Sequence, residues 1–314
     1  MTTIQNSRNC LTPDNLALLQ CIADKGSFAA AARHLGLVPS ALTYRVRQIE
    51  DALDVLLFDR SARQARATQA GAELLREGAR LLTDISAVAH RIQRVATGWE
   101  PQFTIAVDGA VSPHTMLELV EAFYSQAPPT QLKLRDEILT GTLEALTSGQ
   151  ADLAIGVVVN TSRVAGLQQD VLGETSFVFA VAPHHPLAHV PEPLSDATLL
   201  LHRAIAVADS AQGQGVSMGL LPGQDVFTVG SMQAKLQAQL RGLGCGFLPE
   251  PMARPYLAAG HLVSRQLARP TRSFRLHYAW NATPLAQGGR ALQWWLAQLH
   301  SPSTRAALLS NHHF

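Results

Sequence analysis

The sequence predicts an α+β protein of more than one domain, with a small all-α N-terminal part, a long helix, and a larger α/β part in two lobes. Three observations predict it. From Leu11 to about Ala96, apolar residues recur at helical spacing almost without a break. Beyond Gly98-Trp99-Glu100-Pro101 the pattern switches to short apolar strands alternating with helices. Finally, 314 residues at 47% hydrophobic and 16% charged suffice for more than one core and exclude a disordered chain.

Thr12 and Pro13 suit an N-cap and first helical position, and Leu16, Leu19, Cys21 and Ile22 carry that helix to a stop at Lys25-Gly26. Ser27 can cap a second helix, Phe28 to Leu35, whose alanines at 29–32 permit close packing. Gly36-Leu37-Val38 makes a tight turn, and a third helix runs from Pro39 or Ser40 to about Leu53. Two short helices joined by a three-residue turn containing Gly describe a helix-turn-helix. The third helix divides its faces. Leu42, Val46, Ile49 and Leu53 form one apolar stripe, while Ser40, Thr43, Tyr44 and Arg47 lie on the other side toward its start. Small hydroxyls, an aromatic ring and an arginine there suit base edges and phosphates, with Arg45 beside them in reach of the backbone. The plain alternative is a solvated helix with scattered arginines. The next segment decides between the two. Arg60, Arg63 and Arg66, with no acid after Asp59, have the spacing of a hairpin wing along phosphates.

Thr68 and Ala70-Gly71 start a helix to about Val95 with Leu74, Leu75, Leu81, Leu82, Ile85, Val88, Ile92 and Val95 as its apolar positions. Such a stripe on a small domain is expected to pair with a copy of itself. After the hinge expected at Gly98–Pro101, strands are expected at 103–107, 132–138 and 151–158, with helices between them. A second set follows at 177–182, 204–208, 231–241 and 245–248, and the chain returns through 262–267 and 274–280 to a helix at 290–300. This predicts a mostly parallel sheet covered on both faces. Two sheet-bearing lobes with a chain crossing between them describe a periplasmic-binding-protein-like domain. Lobe 1 would span about 101–160 and 268–300, lobe 2 about 161–267, and 301–314 reads as a loose tail.

Net charge is +1, from 25 basic and 24 acidic side chains, which excludes binding nucleic acid by bulk charge. Residues 1–100 hold 12 basic and 10 acidic groups, so contacts to DNA must be few and placed. The absence of a signal-like start and of an apolar run near membrane-spanning length points to the cytoplasm. Three cysteines without paired spacing read as free thiols, with Cys245 a small core residue.

The run SFAAAARHLGLVPSALTYRVRQIEDALDVLLFDRSARQARATQAG (27–71) resembles the winged helix-turn-helix of LysR-type transcriptional regulators. GQADLAIG (149–156), APHHPLA (182–188) and GLGCGFLPE (242–250) resemble strings in the effector domains of that family. Asp54 departs from it where a glycine is more usual, as do Val38 and Pro39 from the usual polar pair. The resemblance covers about residues 11–300. It implies a ligand-responsive regulator of promoter DNA divided as a DNA-binding domain at 1–69, a linker and dimerisation helix at 70–97 and an effector-binding domain at 98–314. It also implies a homodimer or homotetramer and leaves room for RNA polymerase as a further partner. WEPQFTIAVD (99–108) and EILTGTLEAL (137–146) resemble a branch that regulates aromatic or metabolite degradation, so an aromatic or carboxylated effector is expected. The DNA-contacting set is then Ser27, Pro39, Ser40, Thr43, Tyr44, Arg45, Arg47, Arg60, Arg63 and Arg66.

In an open α/β sheet, ligands sit at the carboxyl ends of strands, facing helix N-termini. Asp108, Val111 and Ser112 follow the first strand, and Glu137, Leu139, Thr140 and Gly141 the second. Asp209 and Ser231 face them from the other lobe. These are the expected ligand-binding residues, although Ser112 and Ser231 are also cap residues, and two acids in the cleft disfavour a dianion. No enzyme is expected. There is no G-x-S-x-G, no Walker loop and no G-x-G-x-x-G after a strand. Neighbouring His184 and His185 point to opposite faces of an extended chain, so no metal and no cofactor is expected. Trp294 and Trp295 suit core packing. The rival reading, a cytosolic solute-binding or enzymatic α/β protein with an accessory helical domain, predicts monomers that do not retain DNA.

Overall fold

The computed structural model describes residues 9–59, 65–126, 128–158, 166–211, 219–270, 272–282 and 289–312. It contains two compact units, Met1–Ile92 and Gln93–Phe314.

In the first unit the caps are the expected ones. The Thr12 hydroxyl accepts from Asn15 N at 3.3 Å to open α1 (Pro13–Lys25), and Gly26 closes it in the left-handed region. Ser27 accepts from Ala30 N at 3.2 Å to open α2 (Phe28–His34). The buried stripe Leu42, Val46 and Ile49 of α3 (Pro39–Leu53) packs on Leu18, Leu19 and Ile22 and on the buried Ala31 and Ala32. Each such large aliphatic side chain contributes roughly 1.5–3 kcal/mol on burial. Asp54 ends α3 at φ 55°, a backbone that a short polar side chain tolerates. β1 (Phe58–Asp59) pairs antiparallel with β2 (Arg66–Ala67) as the wing. The wing is fastened twice. Buried Glu50 accepts the N–H groups of Leu57 and Phe58 at 2.9 and 3.3 Å, and Thr68 donates to Leu56 O at 2.6 Å. Gly71 lies against this turn so closely that a Cβ would overlap the Leu57 carbonyl oxygen. Along α4 (Gln69–Thr97), Leu74 and Leu75 turn into the core, whereas Leu81, Ile85, Val88, Ile92 and Val95 are exposed at heptad spacing.

The second unit is built on β3 (Gln102–Asp108), with β4 (Gln131–Glu137) and β5 (Leu153–Val157) parallel on either side. The mostly parallel sheet expected from the sequence is in fact mixed. β6 (Leu167–Val181) starts ten residues earlier than expected and pairs antiparallel with β11 (Arg272–Asn281), which is itself antiparallel to β5. Beyond Phe177, β6 pairs with β9 (Gly246–Pro249) and β10 (Val263–Ser264), and β7 (Ala204–Val207) with β8 (Val226–Val229) adds a parallel pair beside β9. β6 therefore belongs to two cores, lending Leu172 to the first and Phe179 and Val181 to the second.

Alternation along the strands sets the layers. Ile105, Leu153, Ile155, Tyr278 and Trp280 face α5 (Pro113–Tyr124) and α10 (Arg290–His300), where Phe123 and Trp295 fill the centre. Ala106, Ala154 and Ala279 point the other way and admit α6 (Gly141–Thr147). α7 (Asp196–Leu200), α8 (Met232–Leu240) and α9 (Glu250–Ala258) cover the second core.

Two expectations are corrected here. Residues 302–310 are not a loose tail but α11 (Pro302–Ser310), held because Leu308 and Leu309 are buried and Asn311 O accepts from Ser112 at 2.5 Å. Nor is Gly98–Pro101 a free hinge. Glu100 is buried and accepts from Ala291 N at 3.0 Å and Leu292 N at 3.4 Å at the start of α10, and Trp99 packs on Phe123.

Candidate nucleic-acid interface and effector cleft

The outward side of α3 carries Ser40, Tyr44 and Arg47, all exposed, with Tyr44 at 62%. Pro39 is exposed at its first turn, and half-buried Thr43 donates to the Pro39 carbonyl at 2.9 Å. Arg45 is turned inward and donates to Asn15 Oδ1 at 3.0 Å, so it braces α3 against α1 instead of reaching outward. Ser27 is engaged as the α2 cap. Arg66 is exposed on the wing, whereas Arg60 and Arg63 lie outside the described residues.

The residues expected to bind ligand divide into three groups. The first joins the two lobes. Ser210 Oγ donates to Glu137 Oε2 at 2.5 Å and accepts from Ile138 N at 2.9 Å, and Thr140 donates to Asp209 Oδ2 at 2.6 Å. Arg135 holds the other Glu137 oxygen through two N–H groups at 3.0 and 2.8 Å. Gly141 lies where a Cβ would overlap Ser210 Oγ. Glu137, Thr140, Gly141 and Asp209 thus form a hydrogen-bonded seam, and Ser210, its centre, was missed by the sequence reading.

The second group combines a buried cap with a neighbouring hollow between the lobes, of about 400 Å³, that Asp108, Ile138, Ser210 and Met232 also border. Ser112 is fully buried, caps α5 by accepting from Thr115 N at 3.1 Å and gives its proton to Asn311 O. The structure places it as a cap and as the tie between α5 and the segment after α11. Val111 and Ser231 line that hollow with Met116, Leu117 and Leu134, and Ser231 caps α8.

The third group lines a cavity of about 70 Å³ between the lobes, where Asp108 and Leu139 meet Ile138, Phe177, Met232 and Phe274. Asp108 accepts from Ala110 N and Leu139 N, each at 2.9 Å. Burial pushes its carboxyl up to about 6 against the pull of those two bonds, and the nearby Asp209 charge adds to the rise. Leu139 is held by this contact at φ 54°, a strained conformation for a branched side chain. The opposite wall carries Lys235 on α8, whose ammonium burial pulls down to about 8. No motif marked Lys235. Its signal was a lysine one helical turn beyond the cap Ser231, on the face that also carries Leu236 and Gln239 inward.

Other conspicuous residues are structural. Burial pushes Cys245 up to about 11, so it stays a protonated core thiol. His185 is buried against His202 and accepts from Leu187 N at 3.2 Å, which caps the 3-10 turn at Pro186–Ala188. Among the described residues, no group of three or more His, Cys, Asp or Glu is placed to hold a metal. No described helix is long and apolar enough to cross a membrane.

Residues 13–72 match the bacterial regulatory helix-turn-helix proteins of the lysR family, and residues 96–301 match the LysR substrate binding domain. The uncharacterized HTH-type transcriptional regulator YeeY of Escherichia coli K12 is 35% identical over 94% of this chain and 95% of its own length. The chain belongs to the LysR family. LysR-family relatives include the HTH-type transcriptional activator AllS of Klebsiella pneumoniae, 32% identical over 81% of this chain and 95% of that protein. The fold is also that of full-length AphB of Vibrio cholerae, with a TM-score of 0.58 at 19% identity over 92% of this chain and 98% of AphB. As a LysR-family member the protein is a transcriptional regulator and not an enzyme, with a helix-turn-helix domain for DNA and a domain for a small-molecule effector.

Proposed function

We propose that this regulator reads promoter DNA with the N-terminal half of α3 and responds to an effector held between its two lobes. The supporting observation is the division of α3, with one face in the core and Ser40, Tyr44 and Arg47 outside. In this reading Ser40, Thr43, Tyr44 and Arg47 approach base edges and phosphates in the major groove. Ser27, Pro39, Arg60, Arg63 and Arg66 lie along the backbone, and Arg45 fixes the helix that presents the others. Residues 1–69 form the DNA-binding domain and 98–314 the effector domain. The exposed heptad stripe of α4 pairs residues 70–97 with a second copy, giving a dimer or tetramer that doubles a small set of contacts. The chain acts in the cytoplasm, where promoter DNA is found. Effector binding shifts the balance between seam-closed and open lobes, and the oligomer carries that change to DNA.

The test is a titration of the DNA upstream of the protein's own gene at fixed salt. Wild type retains it specifically, and Arg47→Ala weakens specific binding by about 10- to 100-fold, as loss of a base contact does. Unchanged specific affinity in Arg47→Ala overturns this assignment of the DNA-reading face.

A further inference from the structure

We propose that the interlobe cavity takes a monoanionic carboxylic acid, with its carboxylate on the Lys235 ammonium and its apolar body against Phe177, Phe247 and Phe274. This rests on the regulator reading and names the chemistry of its effector.

Lys235 is only 7% exposed, and among the described residues it makes no hydrogen bond and no ion pair. A buried ammonium without a counter-charge is costly, and a protein retains one where something else supplies the charge. With its ordinary value lowered only to about 8, the group is still a cation at neutral pH. One turn further along α8, Gln239 is fully buried and neither atom of its amide has a partner. Lys235 also stands where the main cavity meets a smaller one of about 10 Å³, which Gly219 and Phe247 likewise border. That end of the space is therefore cationic.

The remaining wall fixes the rest of the molecule. Among the described residues of the lining, the side chains other than Asp108 and Lys235 are aliphatic, aromatic or methionine. Asp108 stands on lobe 1 with its oxygens already accepting from two backbone N–H groups, and no ion pair joins it to Lys235. A second negative charge on the ligand would face that carboxylate, and an amine would face Lys235. A neutral ligand would leave the ammonium bare. One carboxylate on an apolar body satisfies both walls.

The test uses the full-length protein and isothermal titration with benzoate, phenylacetate and hexanoate, with the matching amides as neutral isosteres and phthalate as a dianion. At least one monocarboxylate is expected to bind wild type at least about 10-fold more tightly than its amide and than phthalate. Lys235→Met is expected to weaken that acid about 30-fold and leave the amide unchanged, while Lys235→Arg keeps the preference for the acid. Ligand-free Lys235→Met is expected to melt above wild type, because an apolar side chain of like length replaces an unpaired charge. If that variant does not fold, Lys235→Gln takes its place in the titration. The inference is overturned if none of the three acids binds, if acid and amide bind equally, or if the neutral variants bind the acid as tightly as wild type. Retention of the upstream DNA by wild type is measured in parallel. DNA binding without acid binding overturns this inference alone, whereas loss of specific DNA binding overturns the regulator reading.

Discussion

The two units commit their polar side chains in opposite ways. On α3, Ser40, Tyr44 and Arg47 point outward and make no contact that the fold requires, so their chemistry stays free for a partner. At the lobe interface, Glu137, Thr140 and Asp209 are taken up by Ser210, Arg135 and one another, whereas Lys235 on the facing helix has no hydrogen bond or ion pair among the described residues. A surface site is thus built from side chains the core does not use. A cleft site is built from whatever the closing of two lobes leaves unsatisfied. Polarity and position in a motif mark the first kind, whereas the second is found by asking which buried polar groups lack partners.

Three further experiments probe that contrast, beginning with the largest effect. The exposed face of α3 is presented by a wing turn with no slack, so Gly71→Val is expected to destabilise the first unit by about 4 kcal/mol, through overlap of its side chain with the Leu57 carbonyl. A urea melt followed by circular dichroism measures it. A loss below about 1 kcal/mol would show that the turn can yield and that the free face is not rigidly held.

In the cleft, Asp108 has its carboxyl raised by burial to about 6 in the folded protein, from about 3.8. The folded state therefore holds the proton more tightly. The associated stability is fully present below pH 3.8 and is lost as pH rises through 6, by about 3 kcal/mol in all. Thermal melts of ligand-free wild type and Asp108→Asn across that window are expected to show wild type losing ground as pH rises. Parallel curves would mean that Asp108 is not desolvated by lobe closure.

The smallest effect belongs to the seam. Ser210→Ala removes the hydroxyl shared by Glu137 and Ile138 and is expected to cost about 1 kcal/mol. Differential scanning calorimetry measures it, and small-angle scattering is expected to show a shift toward open lobes. An unchanged scattering curve together with an unchanged melt would remove the seam as a determinant of closure.

Much of the first unit was legible in the sequence, because its signals are local. Thr12, Ser27 and Gly26 act as caps by their own backbone preferences, and the spacing of Leu42, Val46 and Ile49 fixes which face of α3 is buried. Two details there were not legible. Arg45 turns inward because Asn15 happens to lie across the helix pair, and Glu50 is buried because two N–H groups of the wing turn need an acceptor. In the second unit the strands were legible and their partners were not. A strand's apolar pattern states that it is buried, but the antiparallel insertion of β11 between β5 and β6 depends on pairs such as Trp280 with Leu153 and Arg272 with Phe177, far apart along the chain. Asp108 and Leu139 were placed in the cleft by the rule that ligands sit at strand ends. The same rule chose Ser112, whose hydroxyl the α11 segment takes, and it overlooked Lys235 in mid-helix.

By itself, then, the sequence determined the division into a helical and an α/β part, the buried and free faces of α3, the heptad stripe of α4 and the strand ends that border the cleft. All of these follow from periodicity and caps, which act within a few residues along the chain. Tertiary contacts alone settled that α11 is part of the fold, that Glu137, Thr140 and Asp209 fasten the lobes together, and that Lys235 lacks a partner among the described residues. Those outcomes depend on which polar groups meet across space after burial, and the cost of leaving one unpaired is set by surroundings that no local pattern records.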